Sequence, residues 1–252
     1  MGSPLNKRLF RELRGEFGKY LVIFILMTLT IGMVSGFLVA DGSMIQAYEE
    51  SFEKYNIENG HFRTEKKMNN AQIQDIEDLG IKLYENYYVE EALTNGSTMR
   101  IFKNRDEVNK VCLMKGKMPE KPGEIGIDRM YADNNDLSVG DEIESGGHTW
   151  KITGLVALSD YSALFSNNND SMFDSVKFGV SVVCPEEFDS YKADQLNYSY
   201  AWKYNTEPKN EKAEKDISED LMEDVAKEVT LEEFVPRYTN QAIIFTGAVT
   251  VR

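Results

Sequence analysis

Few residues in this chain have side chains suited to metal or nucleophilic chemistry: there are two histidines and two cysteines in 252 residues. His61 and His148 lie in different predicted strands without the three or four ligands that zinc requires, so we expect solvated or capping imidazoles. Cys112 and Cys184 also fall in predicted strands. We expect buried free thiols, and a disulfide between them is the alternative. The sequence therefore predicts no metal site and no cofactor site.

The motifs of nucleotide and hydrolase chemistry are missing from the sequence. There is no G-x-x-x-x-G-K-[ST] phosphate loop, no G-x-G-x-x-G, no H-E-x-x-H and no G-x-S-x-G. The run Asn167–Asp170 lacks the alternating ligands, the glycine and the closing glutamate of an EF-hand. Nothing singles out a pair among the many carboxylates, so a membrane-anchored hydrolase is an alternative without named residues. We expect a non-catalytic protein that does not hydrolyse ATP itself.

The charge of the chain excludes ordinary nucleic-acid binding. It has 28 basic and 42 acidic residues, a net charge of −14, and such a chain repels phosphate backbones. The hydrophobic fraction of 42% and the aromatic fraction of 11% are sufficient for a packed core, which excludes wholesale disorder.

An uncharged run from Tyr20 to Ala40 predicts a transmembrane helix, because its length matches the hydrocarbon core of a bilayer, about 30 Å. Basic residues dominate the segment before it, which places that segment in the cytoplasm and residues 41–252 outside it. A cleaved signal peptide and a buried core helix are the alternatives. The run is longer than a signal-peptide core and lacks a good cleavage site, which favours the membrane anchor.

Three features accompany the span. Residues 1–19 predict an amphipathic helix on the inner membrane surface. Gly32 and Gly36 form a G-x-x-x-G that would let a second membrane helix approach. After the span, residues 41–58 keep a helical apolar pattern and predict a stalk whose Tyr48, Phe52 and Tyr55 couple it to the outer domain. An amphipathic helix packed on its own domain is the alternative to a stalk.

The outer part predicts an α+β fold. A porter-like α+β subdomain is expected from residues 59–106 and 172–235, a small inserted β subdomain from 107–171, and a connector from 236–252. One strand is predicted over Ile81–Glu90, followed across the Asn95-Gly96 turn by a partner strand over Thr98–Lys103. The expected partner-facing surfaces are the inserted part around Gly123–Val156 and a polar loop. That loop contains Ser166, Asn167, Asn168, Asn169 and Asp170.

Short motifs behind the predicted span carry a family resemblance. They are Gly116-Lys117-Met118-Pro119, Pro122-Gly123-Glu124-Ile125, Leu137-Ser138-Val139-Gly140-Asp141 and Trp150-Lys151-Ile152-Thr153-Gly154-Leu155-Val156. In this order the chain resembles the FtsX/MacB-like permeases of ABC transporters, over most of residues 5–245.

The resemblance implies a function in transmitting mechanical motion. A separate cytoplasmic ATPase would move the membrane helices of a dimeric transporter, and the stalk would carry that motion to an outer domain acting on peptides, lipoproteins, antibiotics or cell-wall enzymes. Permeases of this family have at least four membrane helices, whereas the apolar stretch in 236–252 is too short to span, so we expect a fragment of a longer permease. A single-pass ligand-binding or sensor protein is the alternative.

Overall fold

The computed structural model describes residues 14–145, 147–161, 164–166 and 172–237. It divides into two compact units, Met1–Phe52 and Glu53–Arg252. The helices are α1 (Phe17–Tyr55), α2 (Asn70–Glu77), α3 (Arg129–Asn134), α4 (Pro185–Phe188) and α5 (Glu211–Glu228), with a 3₁₀ turn at Ala193–Gln195. The strands are β1 (Gly60–Thr64), β2 (Ile81–Glu85), β3 (Tyr88–Ala92), β4 (Thr98–Lys103), β5 (Cys112–Gly116), β6 (Glu124–Asp128), β7 (Glu142–Ser145), β8 (His148–Ala157), β9 (Phe178–Val183), β10 (Tyr198–Tyr204) and β11 (Leu231–Pro236).

The described part of the first unit is mostly the helix α1, whose last residues, from Glu53 to Tyr55, belong to the second unit. The helix has 39 residues, and Phe17–Phe37 within it is long and apolar enough to cross a membrane, with a mean hydropathy of 2.1. None of that window is buried against the rest of the chain, as expected for side chains that face lipid. The single helix covers the predicted span and most of the predicted stalk, and it ends at Tyr55. The predicted amphipathic segment up to residue 13 lies outside the described residues.

We call the second unit, Glu53–Arg252, the outer unit. Its sheet one has four antiparallel strands in the order β11-β1-β10-β2. Its core is aromatic: Phe62 stacks on Tyr200 with ring centres 5.6 Å apart, and Trp202 stacks on Phe234 at 4.7 Å. The helix α5 buries Leu221 and Val225, and α2 packs against it. Burial of these aromatic and aliphatic side chains is the main force holding the sheet and helices together.

Sheet two is a mixed sheet in the order β3-β4-β9-β6-β8-β5, with β7 paired to the first half of β8. The strand β9 runs parallel to β4 and antiparallel to β6, and all six of its residues are buried. A continuously buried strand of this kind requires neighbours on both edges and cover on both faces. The described chain thus confirms the predicted α+β class with an N-terminal apolar helix.

The predicted single strand over Ile81–Glu90 is wrong. The chain leaves sheet one after β2 and enters sheet two with β3, and the break falls at Asn86-Tyr87. The Asn86 amide donates to the carbonyl of Ser199 at 2.9 Å, and the Tyr87 hydroxyl donates to the hydroxyl of Tyr200 at 2.8 Å. These long-range contacts hold the corner, and the local apolar pattern contains no sign of them.

Sheet two takes strands from both of the predicted subdomains. Strands from 59–106 and 172–235, namely β3, β4 and β9, share sheet two with β5 to β8 from 107–171. The reason is the pairing of β9 with both β4 and β6, which joins the two predicted parts through backbone hydrogen bonds.

Candidate functional site

The helix α1 ends within the outer unit, where its last residue is held by both main chain and side chain. The Tyr55 hydroxyl donates a hydrogen bond to Sγ of Cys112 at 3.0 Å, and the Tyr55 carbonyl accepts one from the amide of Lys110 at 2.8 Å. Lys54 Nζ lies 4.9 Å from the centre of the Tyr55 ring. Cys112 begins β5, so these bonds tie the end of the helix to sheet two.

Asn56 turns the chain out of the helix. Its φ of 46° is left-handed, a conformation that asparagine tolerates better than most residues. The Asn56 side chain donates to the carbonyl of Glu107 at 2.7 Å and accepts from Lys203 Nζ at 3.1 Å, and its carbonyl accepts from the amide of Asn109 at 3.1 Å. Because Lys203 lies in β10, this one residue contacts a strand of sheet one and the loop between β4 and β5.

A buried carboxylate follows two residues later. Glu58 is 4% exposed and Asn109 is fully buried. Asn109 Oδ1 accepts from the Glu58 amide at 2.9 Å, its Nδ2 donates to Oε2 of Glu58, and Oε1 of Glu58 lies 2.5 Å from Nδ1 of His61. The side chain thus has a partner at each carboxylate oxygen, as a buried charge requires.

Asn59 fastens the same segment to sheet one. Its amide donates to the carbonyl of Trp202 at 2.8 Å, and its side-chain oxygen accepts from the amide of Tyr204 at 3.0 Å. Its Nδ2 donates to Glu207 at 3.1 Å, and its carbonyl accepts from the Arg237 amide at 2.7 Å. We call Tyr55–His61, together with Asn109, Cys112 and Lys203, the helix-exit junction.

A buried ion pair close to the junction joins the loop that follows β4 to the loop that follows β8. Arg105 donates through Nη1 and Nη2 to the carboxylate of Asp160, and Nη1 also donates to Asn86 Oδ1 at 2.9 Å. Its guanidinium lies 4.7 Å from the centre of the Phe102 ring. A bidentate pair of this kind holds its partners in one geometry.

Two titratable groups of the junction are shifted in opposite senses. Burial lowers the pKa of His61, but the carboxylates of Glu58, Glu233 and Asp160 outweigh burial, and the net result is a raised pKa. Burial lowers the pKa of Lys203, and Glu207 only partly offsets that effect. The electrostatics of the junction therefore favour a charged imidazole.

A cleft of about 520 Å³ opens between the two sheets of the outer unit. Charged residues of both signs line it: Arg63, Glu90, Arg100, Asp174, Lys177 and Glu233. In the described part of the chain no carboxylate lies within ion-pair distance of Lys177. Arg63 Nη1 pairs with Glu232 at 3.1 Å, and its buried Nε, which has no hydrogen-bond partner among the described residues, lies 3.8 Å from Oε2 of Glu233.

Arg100 forms the fixed wall of this cleft. Its guanidinium lies between two rings, 4.4 Å from the centre of Tyr88 and 5.0 Å from that of Phe178. It donates to Oε1 of Glu90 at 2.6 and 2.9 Å and to the hydroxyl of Tyr161 at 2.7 Å. Its donors are already engaged, so among the described lining residues Lys177 is the cation without an ion-pair partner.

The residues predicted for helix packing and coupling are placed as follows. Gly32 and Gly36 lie in α1, and a Cβ at either position would meet nothing within 4 Å. Phe52 is half-buried in the last turns of α1, and Tyr55 lies in the helix-exit junction. The side chain of Tyr48 lies outside the described residues.

Of the predicted partner-facing loop, Ser166 lies at the cleft, where its carbonyl accepts from Arg100 at 2.9 Å. Asn167, Asn168, Asn169 and Asp170 lie outside the described residues. Cys112 and Cys184 are free thiols, so the alternative of a disulfide between them is excluded. No group of three metal-binding side chains occurs among the residues that the structure describes.

The expectation of a solvated or capping imidazole is wrong for His61, which contacts a buried carboxylate. The residues of the junction that sequence reasoning missed are Glu58, Asn59 and Asn109, with the nearby pair Arg105 and Asp160. A signal for the first two does exist: the polar run Asn56 to Gly60 directly follows the apolar helix pattern. No sequence signal connects that run to Asn109 or to the ion pair.

Comparisons with known proteins add the following. No family model and no curated protein sequence matches the chain. The chain is similar to the periplasmic region of MacB from Actinobacillus actinomycetemcomitans, with 11% identity, a TM-score of 0.38, and coverage of 73% of this chain and 91% of that one. It is also similar to the extracellular domain of the noncanonic ABC-type transporter YknZ from Gram-positive bacteria, with 11% identity and a TM-score of 0.35. That match covers 69% of this chain and 98% of the other.

Proposed function

We propose that this chain is the membrane-anchored outer part of an FtsX/MacB-like ABC transporter permease, which transmits motion driven by a partner ATPase to its outer domain. One observation carries the proposal: the apolar helix α1 continues without a break from Phe17 to Tyr55 and ends in a segment bonded to both sheets. At 1.5 Å per residue it is about 58 Å long, roughly twice the thickness of a bilayer core.

The bonding at the junction explains how motion would pass on. A displacement of the last helical turn acts on sheet two through Lys110 and Cys112, and on sheet one through Lys203 and Asn59. Hydrogen bonds with several partners on each side leave little room for the helix end to pivot. The outer domain would therefore move together with the end of the helix.

The sequence supplies the remaining support. The motifs from Gly116 to Val156 resemble those of the permease family, and the chain lacks a phosphate loop, so ATP hydrolysis would belong to a separate cytoplasmic protein. The basic residues before the span support a cytoplasmic N-terminus. A dimeric transporter and a peptide or protein partner outside the membrane are part of the same proposal.

Distance measurements on the full chain in native membranes test transmission. Spin labels on noncanonical amino acids at Val39 and Lys115 avoid the native thiols, and both side chains are exposed. We expect a narrow distance distribution that changes between nucleotide-free and ATP-treated membranes. Inserting Gly-Gly after Phe52 should broaden the distribution and abolish the response to ATP.

The matched control inserts the same two glycines in the exposed turn at Asn95-Gly96, which should leave the distribution and the ATP response intact. A broad distribution in the unmodified chain, or one that ATP does not alter, contradicts the proposal. Protease protection of the outer domain in sealed inside-out membrane vesicles checks the orientation, and cleavage there without detergent would reverse it.

The inter-sheet cleft favours a second candidate, a single-pass ligand-binding or sensor protein. Its lining offers the ammonium of Lys177, which has no ion-pair partner among the described residues, and the guanidinium of Arg63 for a carboxylate, with Asp174 and Glu233 nearby for an ammonium. A lining with both cationic and anionic side chains fits a short zwitterionic peptide.

Calorimetric titration of the full chain with tri-alanine tests this second function. Binding should be lost with N-acetyl-tri-alanine amide and in Lys177→Ala, and retained in Lys115→Ala, an exposed lysine of β5. The absence of heat at millimolar tri-alanine would reject it.

A further inference from the structure

The buried carboxylate of the helix-exit junction has a single ion-pair partner in the described part of the chain. Glu58 lies beside His61, with Oε1 and Nδ1 2.5 Å apart, and its other oxygen accepts from the neutral amide of Asn109. A carboxylate removed from water is costly unless a positive charge offsets it. The ring of His61 supplies that charge only when it carries a second proton.

The other charged groups around His61 belong to several elements. On the same face of sheet one lie Arg63, Lys203 and Glu233, because their positions alternate in register with His61. Asp160, from the loop after β8, acts on the imidazole from the side of sheet two. Arg237 follows β11.

The cations among these groups are engaged elsewhere. Arg63 pairs with Glu232. Arg105, the partner of Asp160, is engaged in that pair. Lys203 donates to Asn56 and to the carbonyl of Ile57, and Arg237 lies 3.3 Å from Glu214. None of them is within ion-pair distance of Glu58 in the described chain, so the proton on His61 is the adjustable charge.

We propose that protonation of His61 locks the helix-exit junction, so that the coupling between α1 and the outer domain depends on pH. With the second proton present, imidazolium and carboxylate hold the turn from Asn56 to Gly60 against Asn109. Without it, the buried Glu58 charge loses its partner and the turn opens to water. The consequence for coupling rests on the proposed transmission function, whereas the proton site itself does not.

The sign follows from the surroundings. The pKa of His61 is raised above its ordinary value of 6.5, since the three carboxylates outweigh burial. A group with a raised folded-state pKa stabilises the fold fully below its unfolded pKa, and that contribution is lost as pH rises through the folded pKa. The junction is therefore closed in mildly acidic solution and loosens on the alkaline side of the ordinary histidine range.

The first test is NMR of the full chain in lipid nanodiscs, with labelled histidine. The chain has two histidines, so His148→Gln assigns both resonances. We expect the His61 signal to titrate above 6.5, and Glu58→Gln to lower that midpoint because the paired charge is gone. Titration of His61 at or below 6.5 in the unmodified chain would overturn the proposal.

The second test is hydrogen exchange of the segment 53–62, corrected for the intrinsic effect of pH. We expect protection to fall at least about fivefold as pH rises through the His61 midpoint, with the same behaviour in His148→Gln. His61→Gln should show low protection at every pH. Glu58→Gln should remove the pH dependence of protection, and it serves as the test if His61→Gln does not fold. Constant protection of 53–62 across the midpoint rejects the lock.

The two proposals fail in different ways. A chain that shows the proton-dependent exchange but no ATP-dependent change in the Val39 to Lys115 distance has the lock without transmission. A chain with the ATP response and no change in exchange transmits motion through a junction that pH does not control.

Discussion

Arg105 and Asp160 form a two-pronged ion pair, with Nη1 to Oδ2 at 2.7 Å and Nη2 to Oδ1 at 2.9 Å, and their side chains are only 7% and 4% exposed. Removing one partner from such a pair leaves a buried charge without compensation, which is far more costly than losing an exposed pair. This pair is therefore a sensitive reporter of how tightly the outer domain is held next to the junction.

We expect Asp160→Asn to lower the free energy of unfolding by about 3 kcal/mol or more. Asp133→Asn, which breaks the exposed Arg129–Asp133 pair on α3, is the matched control and should change it by no more than about 0.5 kcal/mol. Urea unfolding of both variants measures the difference. Equal effects would mean that solvent already screens the Arg105 pair.

Gly60 leaves no room for a side chain. A Cβ there would lie 2.3 Å from the Trp202 ring and 2.6 Å from the carbonyl oxygen of Val235. Gly60→Ala should cost about 1–3 kcal/mol through the displacement of Trp202. Gly18→Ala, with open space in α1, should instead stabilise the helix slightly. Thermal unfolding checks both signs, and a neutral Gly60→Ala would contradict the close packing.

Gly32 and Gly36 test association within the membrane. Because nothing lies within 4 Å of a Cβ at either position, Gly32→Leu and Gly36→Leu should leave the fold of the chain unaffected. If another membrane helix packs on this face, both changes should weaken association in energy-transfer measurements between labelled chains. Val34→Leu, between them and on the opposite side of the helix, is the control. Unchanged association in the glycine variants would reject the packing role.

Asp128 gives a prediction with the same pH sign as that of His61, over a more acidic range. Burial raises its pKa, although its carboxylate caps α3 by accepting from the amides of Met130 and Tyr131. Because its pKa is raised on folding, the folded state gains stability relative to the unfolded state as pH falls towards the ordinary aspartate range, about 3.9.

Asp128→Asn keeps the cap and removes the buried charge. Its free energy of unfolding should match or exceed that of the unmodified chain at neutral pH, and the advantage should shrink as pH falls. Asp128→Ala, which loses the cap, should be about 1 kcal/mol less stable at neutral pH. An Asn variant that is as destabilised as the Ala variant would show that the cap requires the charge.

Local signals in the sequence predicted the elements that depend on local contacts. The uncharged run predicted the apolar part of α1, and Asn95-Gly96 predicted the hairpin that ends in Thr98–Lys103, whose bounds agree with β4. A turn dipeptide and a run of uncharged residues act within a few positions of themselves, so one sequence suffices to recognise them.

Contacts between distant segments escaped prediction. Glu58 and Asn109 are 51 positions apart, and neither residue type marks a site. The corner at Asn86 is held by Arg105 and by the backbone of Ser199, so the run from Ile81 to Glu90 resembles one strand until the whole sheet is in place. The cleft is likewise assembled from both sheets, and only Ser166 of its lining was predicted to face a partner.

The pairing of β1 with β10 and β11 determines when the outer domain can fold. Strand β1 follows α1 directly, yet its partners Tyr198–Tyr204 and Leu231–Pro236 come near the end of the described chain. During synthesis, β1 must wait roughly ten seconds or longer for them. Such a high contact order slows closure and leaves the aromatic edge around Phe62 exposed meanwhile, so the nascent domain depends on chaperones more than its final stability would indicate.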